Sequence, residues 1–127
     1  MGHRKIDTRK VVDFLAFRKL LSHSYSVIMD EVILATKELV MPVTVEDILG
    51  ECREPEFVYL RQLVWVIAKD HFEFNHSEIS RYGKKHRATI IHGIAAWWDR
   101  YGEDEERLRL LRGIINRLEL RIKRIER

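Results

Sequence analysis

Apolar residues recur every three or four positions along almost the whole chain, which is the spacing of one face of an α-helix. The pattern is interrupted by residues that commonly end helices: Pro42, Gly50, Gly83 and Gly102. The uninterrupted segments predict helices over residues 8–22, 25–39, 45–49, 55–72, 78–82, 85–101 and 103–127. No segment supports a strand to a comparable degree. The sequence therefore predicts an all-α fold, arranged as a helical bundle.

The composition is typical of a soluble globular domain. Hydrophobic residues make up 46% and charged residues 34% of the 127 residues, which favours one folded core over disorder or membrane embedding. The longest apolar run, Leu63 to Ala68, is far shorter than the ~20 residues that span a bilayer. No secretory signal opens the chain, and the single cysteine, Cys52, cannot form an internal disulfide. We expect a single-domain cytoplasmic protein with no membrane partner.

Capping residues indicate where individual helices begin and end. The Thr44 hydroxyl is placed to accept a hydrogen bond from the backbone N–H of Asp47, at the start of a short helix. Pro55 suits the first turn of the next helix, because a proline there loses no helical hydrogen bond. Gly83 is expected to adopt the positive φ that a tight turn between two helices needs.

Residues 76 to 100 have the pattern of a helix-turn-helix. A short helix, a glycine turn and a second helix follow one another, and residues 81–87 carry four basic side chains and no acid, although the net charge is only +3. In this motif the second helix presents its N-terminal side chains to base edges in the major groove. The side chains so placed are Lys85, His86, Arg87, Ala88 and Thr89. Small residues follow on the stripe predicted to face outward: Thr89, Gly93 and Ala96.

Several short stretches resemble the C-terminal DNA-binding domain of the bacterial replication initiator DnaA, in the order and spacing of that family. They are residues 45–50 followed by Arg53, then Arg61-Gln62, Ala68-Lys69, Ser77-Glu78-Ile79, Tyr82-Gly83 and Thr89 to His92. The agreement covers about residues 27–100, with one residue missing after Gly83. The resemblance implies a Trp-repressor-like fold in a single domain 1–127, with a helical extension over 8–26, a DNA-binding core over 27–102 and a C-terminal helix over 103–127.

The resemblance also implies a role for each matching residue. Arg53 matches the family arginine that enters the minor groove, and Arg61 and Lys69 match residues that hold the phosphate backbone. The stretch that reads the major groove corresponds to Lys85, His86, Arg87, Ala88 and Thr89, with Lys84 beside it. The family has an acid, a histidine and a threonine where this chain has His86, Arg87 and Ala88. The resemblance therefore implies binding of double-stranded DNA with a different target, and Arg87 is expected to favour a guanine.

No catalytic, metal or nucleotide site is predicted. Nothing resembles the ATPase part of DnaA, because Gly83-Lys84 lacks the first glycine and the hydroxyl residue of a phosphate loop. The six histidines include no pair three or four residues apart, as a helical metal site would need, and His92 is interpreted as structural. The tryptophans are interpreted as core residues: Trp65, Trp97 and Trp98. We expect no enzymatic activity, no cofactor and no metal.

Two interpretations follow. The first is a stand-alone protein resembling domain IV of DnaA, of phage or mobile-element type, that binds double-stranded DNA in replication initiation or its regulation. The alternative is a protein-interaction or transcription-regulatory module of the same fold without DnaA-type function.

The apolar seam from Leu108 to Ile125 needs a cover, which is either the N-terminal helix of the same chain, giving a monomer, or a second copy, giving a homodimer. The intramolecular clasp is the simpler of the two.

Overall fold

The computed structural model describes residues 21–37 and 42–126, and these residues form an all-α bundle without strands. The helices are α1 (Leu21–Thr36), α2 (Val45–Leu49), α3 (Pro55–Val66), α4 (His76–Gly83), α5 (Arg87–Tyr101) and α6 (Glu105–Glu126). The predicted all-α class is confirmed. Of the predicted first helix, 8–22, residues 8–20 lie outside the described residues. The break predicted between this helix and the one over 25–39 is absent, because α1 runs continuously from Leu21. None of the described helices is long and apolar enough to cross a membrane.

Helix α3 lies at the centre of the bundle, and most of its side chains are buried. Leu60, Leu63 and Val64 are completely buried, and α1, α2 and α5 all pack against this helix. A helix with apolar side chains on several faces requires neighbours on those faces. The central position of α3 therefore follows from its composition.

Helix α3 does not continue to Phe72 as one regular helix. A π-helical turn, Ile67–His71, follows it, and the Phe72 N–H donates to the carbonyl of Ile67, five residues earlier. The Phe74 N–H then donates to the carbonyl of Ala68 at 2.9 Å, and Glu73 adopts a positive φ of 58°. Phe72 and Phe74 are both fully buried, so the wider turn ends the helix while both rings enter the core.

The predicted starts of α2 and α3 are confirmed. The Asp47 N–H donates to the Thr44 hydroxyl at 3.2 Å, the Thr44 N–H donates to the Asp47 carboxylate at 2.9 Å, and Pro55 opens α3. These reciprocal bonds satisfy donors that a helix start otherwise leaves unpaired.

The prediction for Gly83 is wrong in its reason. The positive φ of 57° belongs to Lys84, and Gly83 is the last residue of α4. A Cβ at Gly83 would lie 2.7 Å from the Tyr25 hydroxyl and 3.3 Å from Trp65 Nε1, so the glycine is needed for close packing. The second helix also begins two residues later than predicted, at Arg87.

The inner face of α5 is formed by four buried residues: Ile90, Gly93, Ile94 and Trp97. Ile91, although apolar, is 41% exposed and lies off this face. Trp98 is only half-buried, and its indole N–H donates to the Asp70 carboxylate at 2.7 Å. A polar indole at the rim of the core is held by this hydrogen bond.

Helix α6 packs on α1 within the same chain. Its buried side chains lie within the span of the predicted seam and are Leu111, Ile114, Ile115 and Leu118. The Glu31 carboxylate of α1 lies 3.3 Å from Arg117 Nε and 3.0 Å from Arg121 Nη1. This part of the seam is therefore covered without a second copy, whereas the side chains of Ile122 and Ile125 lie outside the described ones.

Candidate nucleic-acid interface

Helices α4 and α5 follow one another through a turn of three residues, 84–86. Ser80 holds this turn: its carbonyl accepts from the N–H groups of Lys84 and Lys85, and its hydroxyl donates to the Lys85 carbonyl. His86 caps α5, because its Nδ1 accepts from the Ala88 N–H at 3.1 Å. The side chain of His86 is thus engaged with the helix start, while Arg87, Ala88 and Thr89 are exposed.

A groove of about 710 Å³ lies between α3 and α5 and brings five of the nine predicted site residues together. These five are Arg53, Arg61, Lys85, Ala88 and Thr89. The groove also contains Glu51, which is exposed and is an acid among the cations. The α2–α3 loop, the middle of α3 and the outer side of α5 therefore share one concave surface.

The floor of this groove is a close contact between α5 and α3. A Cβ at Gly93 would lie 2.4 Å from Cζ3 and 2.8 Å from Cε3 of the Trp65 ring, so only glycine fits there. Gly93 is buried, and the prediction that it faces outward with Thr89 and Ala96 is wrong for this residue. Thr89 and Ala96 are exposed as predicted.

Arg61 lies in the groove wall, but its guanidinium is turned into the protein. It is 5% exposed, and it donates from Nε to the Ile48 carbonyl at 2.7 Å and from Nη2 to the Asp47 carbonyl at 2.9 Å. Its Nη1 donates to the Cys52 carbonyl. An arginine expected to hold phosphate is therefore engaged with the protein backbone.

Lys85 is engaged in the same way. Its Nζ donates to the Leu49 carbonyl at 2.8 Å, across 36 residues of sequence. Burial, followed by the positive charge of Arg61, lowers the pKa of the Lys85 ammonium, and Glu51 opposes this shift. Lys85 thus connects the turn before α5 to the C-terminal end of α2.

Lys69 and Arg87 do not line the groove; both lie near His76 at the start of α4. Burial, and then the positive charges of Lys69 and Arg87, lower the pKa of the His76 imidazole, whereas Asp70 raises it. Lys84 and Arg87 are exposed and Lys69 is half-buried. The predicted cations therefore form two groups, one in the groove and one around His76.

Besides Glu51, polar residues that the sequence did not assign to this surface include Gln62 and His92 in the groove and His76 in the second group of cations. Gln62 lines the groove one residue after Arg61. His92, interpreted as structural, is exposed and also lines the groove. The spacing of Thr89, His92 and Ala96 on one helical stripe is the signal that would have placed His92 there.

A comparison with curated proteins finds a relative of part of this chain. The chromosomal replication initiator protein DnaA of Kosmotoga olearia is 38% identical over 65 residues. About half of this chain is DnaA-like. The aligned region is 51% of this chain but only 14% of that DnaA, so most of the relative has no counterpart in the alignment. No family model and no solved structure matches the chain.

The comparison agrees with the resemblance to DnaA in sequence, and the roles of individual residues stay predictions. Among the described residues, no group of three or more histidines, cysteines or acids is arranged to hold a metal ion. Cys52 is exposed, and its backbone carbonyl accepts a hydrogen bond from Arg61.

Proposed function

We propose that this chain binds double-stranded DNA in a sequence-specific way, through the helix-turn-helix of α4 and α5, in replication initiation or its regulation. The observation that carries the proposal is the groove between α3 and α5. There the loop that carries Arg53 and the exposed start of α5 lie on one surface. The similarity of about half the chain to a DnaA supports the same function.

We assign the contacts to two regions of the duplex. The exposed N-terminal residues of α5, Arg87 to Thr89, are available for base edges in the major groove. Arg53 is exposed on the adjacent loop and would follow the backbone into the neighbouring minor groove. We assign phosphate contacts to the exposed Lys84 and to Lys69, which lies near His76. Arg61 is assigned a different role, because its donors already bond to carbonyls.

The target sequence would differ from that of DnaA. Arg87 stands where the family has a histidine, and an exposed arginine at the start of a recognition helix pairs best with the O6 and N7 atoms of guanine. Ala88 stands where the family has a threonine and offers only a methyl group. A guanine is therefore expected at one position of the preferred site.

Selection from random duplexes, followed by titration at several salt concentrations, tests the proposal. Replacing Lys69 by Met should weaken binding to all duplexes equally and make the slope of log K against log[salt] shallower by ~0.9, since a phosphate contact carries no sequence information. Replacing Arg87 by Met should relax the preference at one base pair by ~1–3 kcal/mol.

The control is Arg112→Met, which removes the same charge from an exposed position of α6. We expect it to leave both affinity and preference unchanged. Absence of duplex binding at low salt by the unmodified chain would refute the proposal and favour a protein-interaction module. Equal effects of all three substitutions would show binding by net charge alone.

A further inference from the structure

Arg61 and Lys85, two cations that the resemblance places at the DNA, bond instead to the end of α2 and to the α2–α3 loop. The carbonyls they contact are those of Asp47, Ile48, Leu49 and Cys52. The first three belong to the last turn of α2, a helix of only five residues. The last carbonyls of a helix have no partner inside it and carry partial negative charge, so cations are their strongest donors.

These hydrogen bonds come from two different elements of the fold. Arg61 belongs to α3, and Lys85 belongs to the turn before α5. The loop is therefore fixed on one side to the central helix and on the other side to the start of the recognition helix. Its Cys52 carbonyl, bound by Arg61, immediately precedes Arg53.

Burial, and then the positive charge of Arg61, lower the pKa of Lys85, so placing the two cations close together has an electrostatic cost. Arg61 is 5% exposed, so water cannot satisfy its donors, and all three of its nitrogen atoms donate to carbonyls. An arginine that only served phosphate would not need to be buried. A planar guanidinium supplies several donors in a fixed geometry, which a lysine cannot reproduce.

We infer that Arg61 and Lys85 are positioning residues that hold the loop of residues 47–53, so that Arg53 stands at a fixed distance from the recognition helix. This inference rests on the proposed DNA binding. Arg53 and α5 would contact different grooves of one duplex, and a loop held in place before binding loses less conformational entropy on binding. Arg61 acts through Arg53 in this scheme, without touching phosphate.

The test is a double-mutant cycle with charge held constant. Arg61→Lys keeps the positive charge but loses most of the hydrogen bonds, and it is measured with Arg53 intact and with Arg53→Ala. Lys85→Met, which removes the single bond to Leu49, is a second, milder probe in case Arg61→Lys reduces folding. Duplex affinity is measured by fluorescence anisotropy at several salt concentrations.

With Arg53 present, we expect Arg61→Lys to weaken binding roughly tenfold with an unchanged salt slope; with Arg53→Ala, the same substitution should cost less than about twofold. Lys85→Met should show the same dependence on Arg53 with a smaller loss. Equal losses in both backgrounds, or for Lys85→Met a salt slope shallower by ~0.9, would indicate direct action on phosphate and overturn the inference.

Hydrogen exchange on the free protein supplies a readout that does not depend on DNA. Both substitutions should speed exchange of the backbone amides of residues 48–54 while those of α5 stay protected. Unchanged exchange in this loop would refute the inference that Arg61 and Lys85 hold it in place. If the unmodified chain binds no duplex, the proposed function fails, whereas the exchange experiment still decides whether the two cations hold the loop.

Discussion

The two sides of the molecule use cations differently. Between α1 and α6, Arg117 and Arg121 share the carboxylate of Glu31, so part of their charge is neutralised. On the α3–α5 side, Arg61 and Lys85 bond to backbone carbonyls, which carry no net charge. Cations bonded to carbonyls therefore hold a loop in place while keeping their full charge, whereas the cations of the other side are partly neutralised by a carboxylate.

Two glycines on these sides differ in the space around them. Gly93 lets α5 come into contact with the Trp65 ring, whereas a Cβ at Gly113 of α6 would meet nothing within 4 Å. A methyl group is therefore expected to be costly at Gly93 and not at Gly113.

The largest effect that we expect is for Gly93→Ala. The new methyl group would overlap the Trp65 ring, and overpacking of this kind costs ~1–3 kcal/mol of the free energy of unfolding. Urea denaturation measures the loss. Gly113→Ala is the matched control, and it should leave stability unchanged or raise it by up to about 1 kcal/mol because alanine favours helix.

A Trp65→Leu substitution sharpens this experiment, since a smaller side chain leaves room for the methyl group. In the Trp65→Leu background, Gly93→Ala should cost clearly less than it does alone. Equal costs for Gly93→Ala and Gly113→Ala would contradict the contrast between the two sides.

A smaller effect is expected on the α1–α6 side from Glu31→Gln. Removing the carboxylate leaves two partly exposed arginines adjacent without their partner, and we expect a loss of about 1 kcal/mol in the free energy of unfolding. Because both arginines are partly exposed, the loss should shrink at high salt.

Asp30→Asn is the control for Glu31→Gln, because Asp30 is the exposed neighbour on α1. It changes the net charge by the same amount and should have little effect. A Glu31→Gln protein as stable as the unmodified chain would mean that these ion pairs contribute nothing.

The smallest effect concerns His76 in the cation group beside α5. Burial and the charges of Lys69 and Arg87 lower its pKa in the folded protein, so the unfolded chain binds the proton more readily. Stability should therefore rise with pH below about pH 7, as the unfolded-state imidazole loses its proton, and level off above it. His76→Gln should flatten this part of the profile, measured by urea denaturation at a series of pH values.

An NMR titration of the imidazole identifies the cause of the shift. Lys69→Met removes one of the positive charges and should move the pKa of His76 upward, toward its ordinary value. A pKa of His76 that does not move would show that the charge of Lys69 does not contribute to the shift.

Local sequence signals predicted the starts of α2 and α3. The reciprocal bonds between Thr44 and Asp47 and the start of α3 at Pro55 depend only on neighbouring residues. The all-α class follows from periodicity in the same way. Of the candidate site, Arg53, Lys85 and Thr89 lie around one groove, and their roles stay predictions.

What the sequence did not show depends on contacts between distant segments. The π-helical turn at Ile67–His71 serves the burial of Phe72 and Phe74, and periodicity alone cannot distinguish it from a continuing helix. Gly83 resembles a turn glycine in sequence, but its neighbours Tyr25 and Trp65 explain it. From the sequence, Arg61 is a candidate phosphate ligand. Only the structure shows that its guanidinium donates to three backbone carbonyls.

The hydrogen bonds that Ser80 makes have a mechanical consequence. Because one residue of α4 bonds to both Lys84 and Lys85, a tilt of the start of α5 would strain these hydrogen bonds and shift α4 as well. The two helices should therefore move together. If the proposed duplex bends on this surface, we expect the displacement to reach the N-terminal end of α4 at His76, near Lys69.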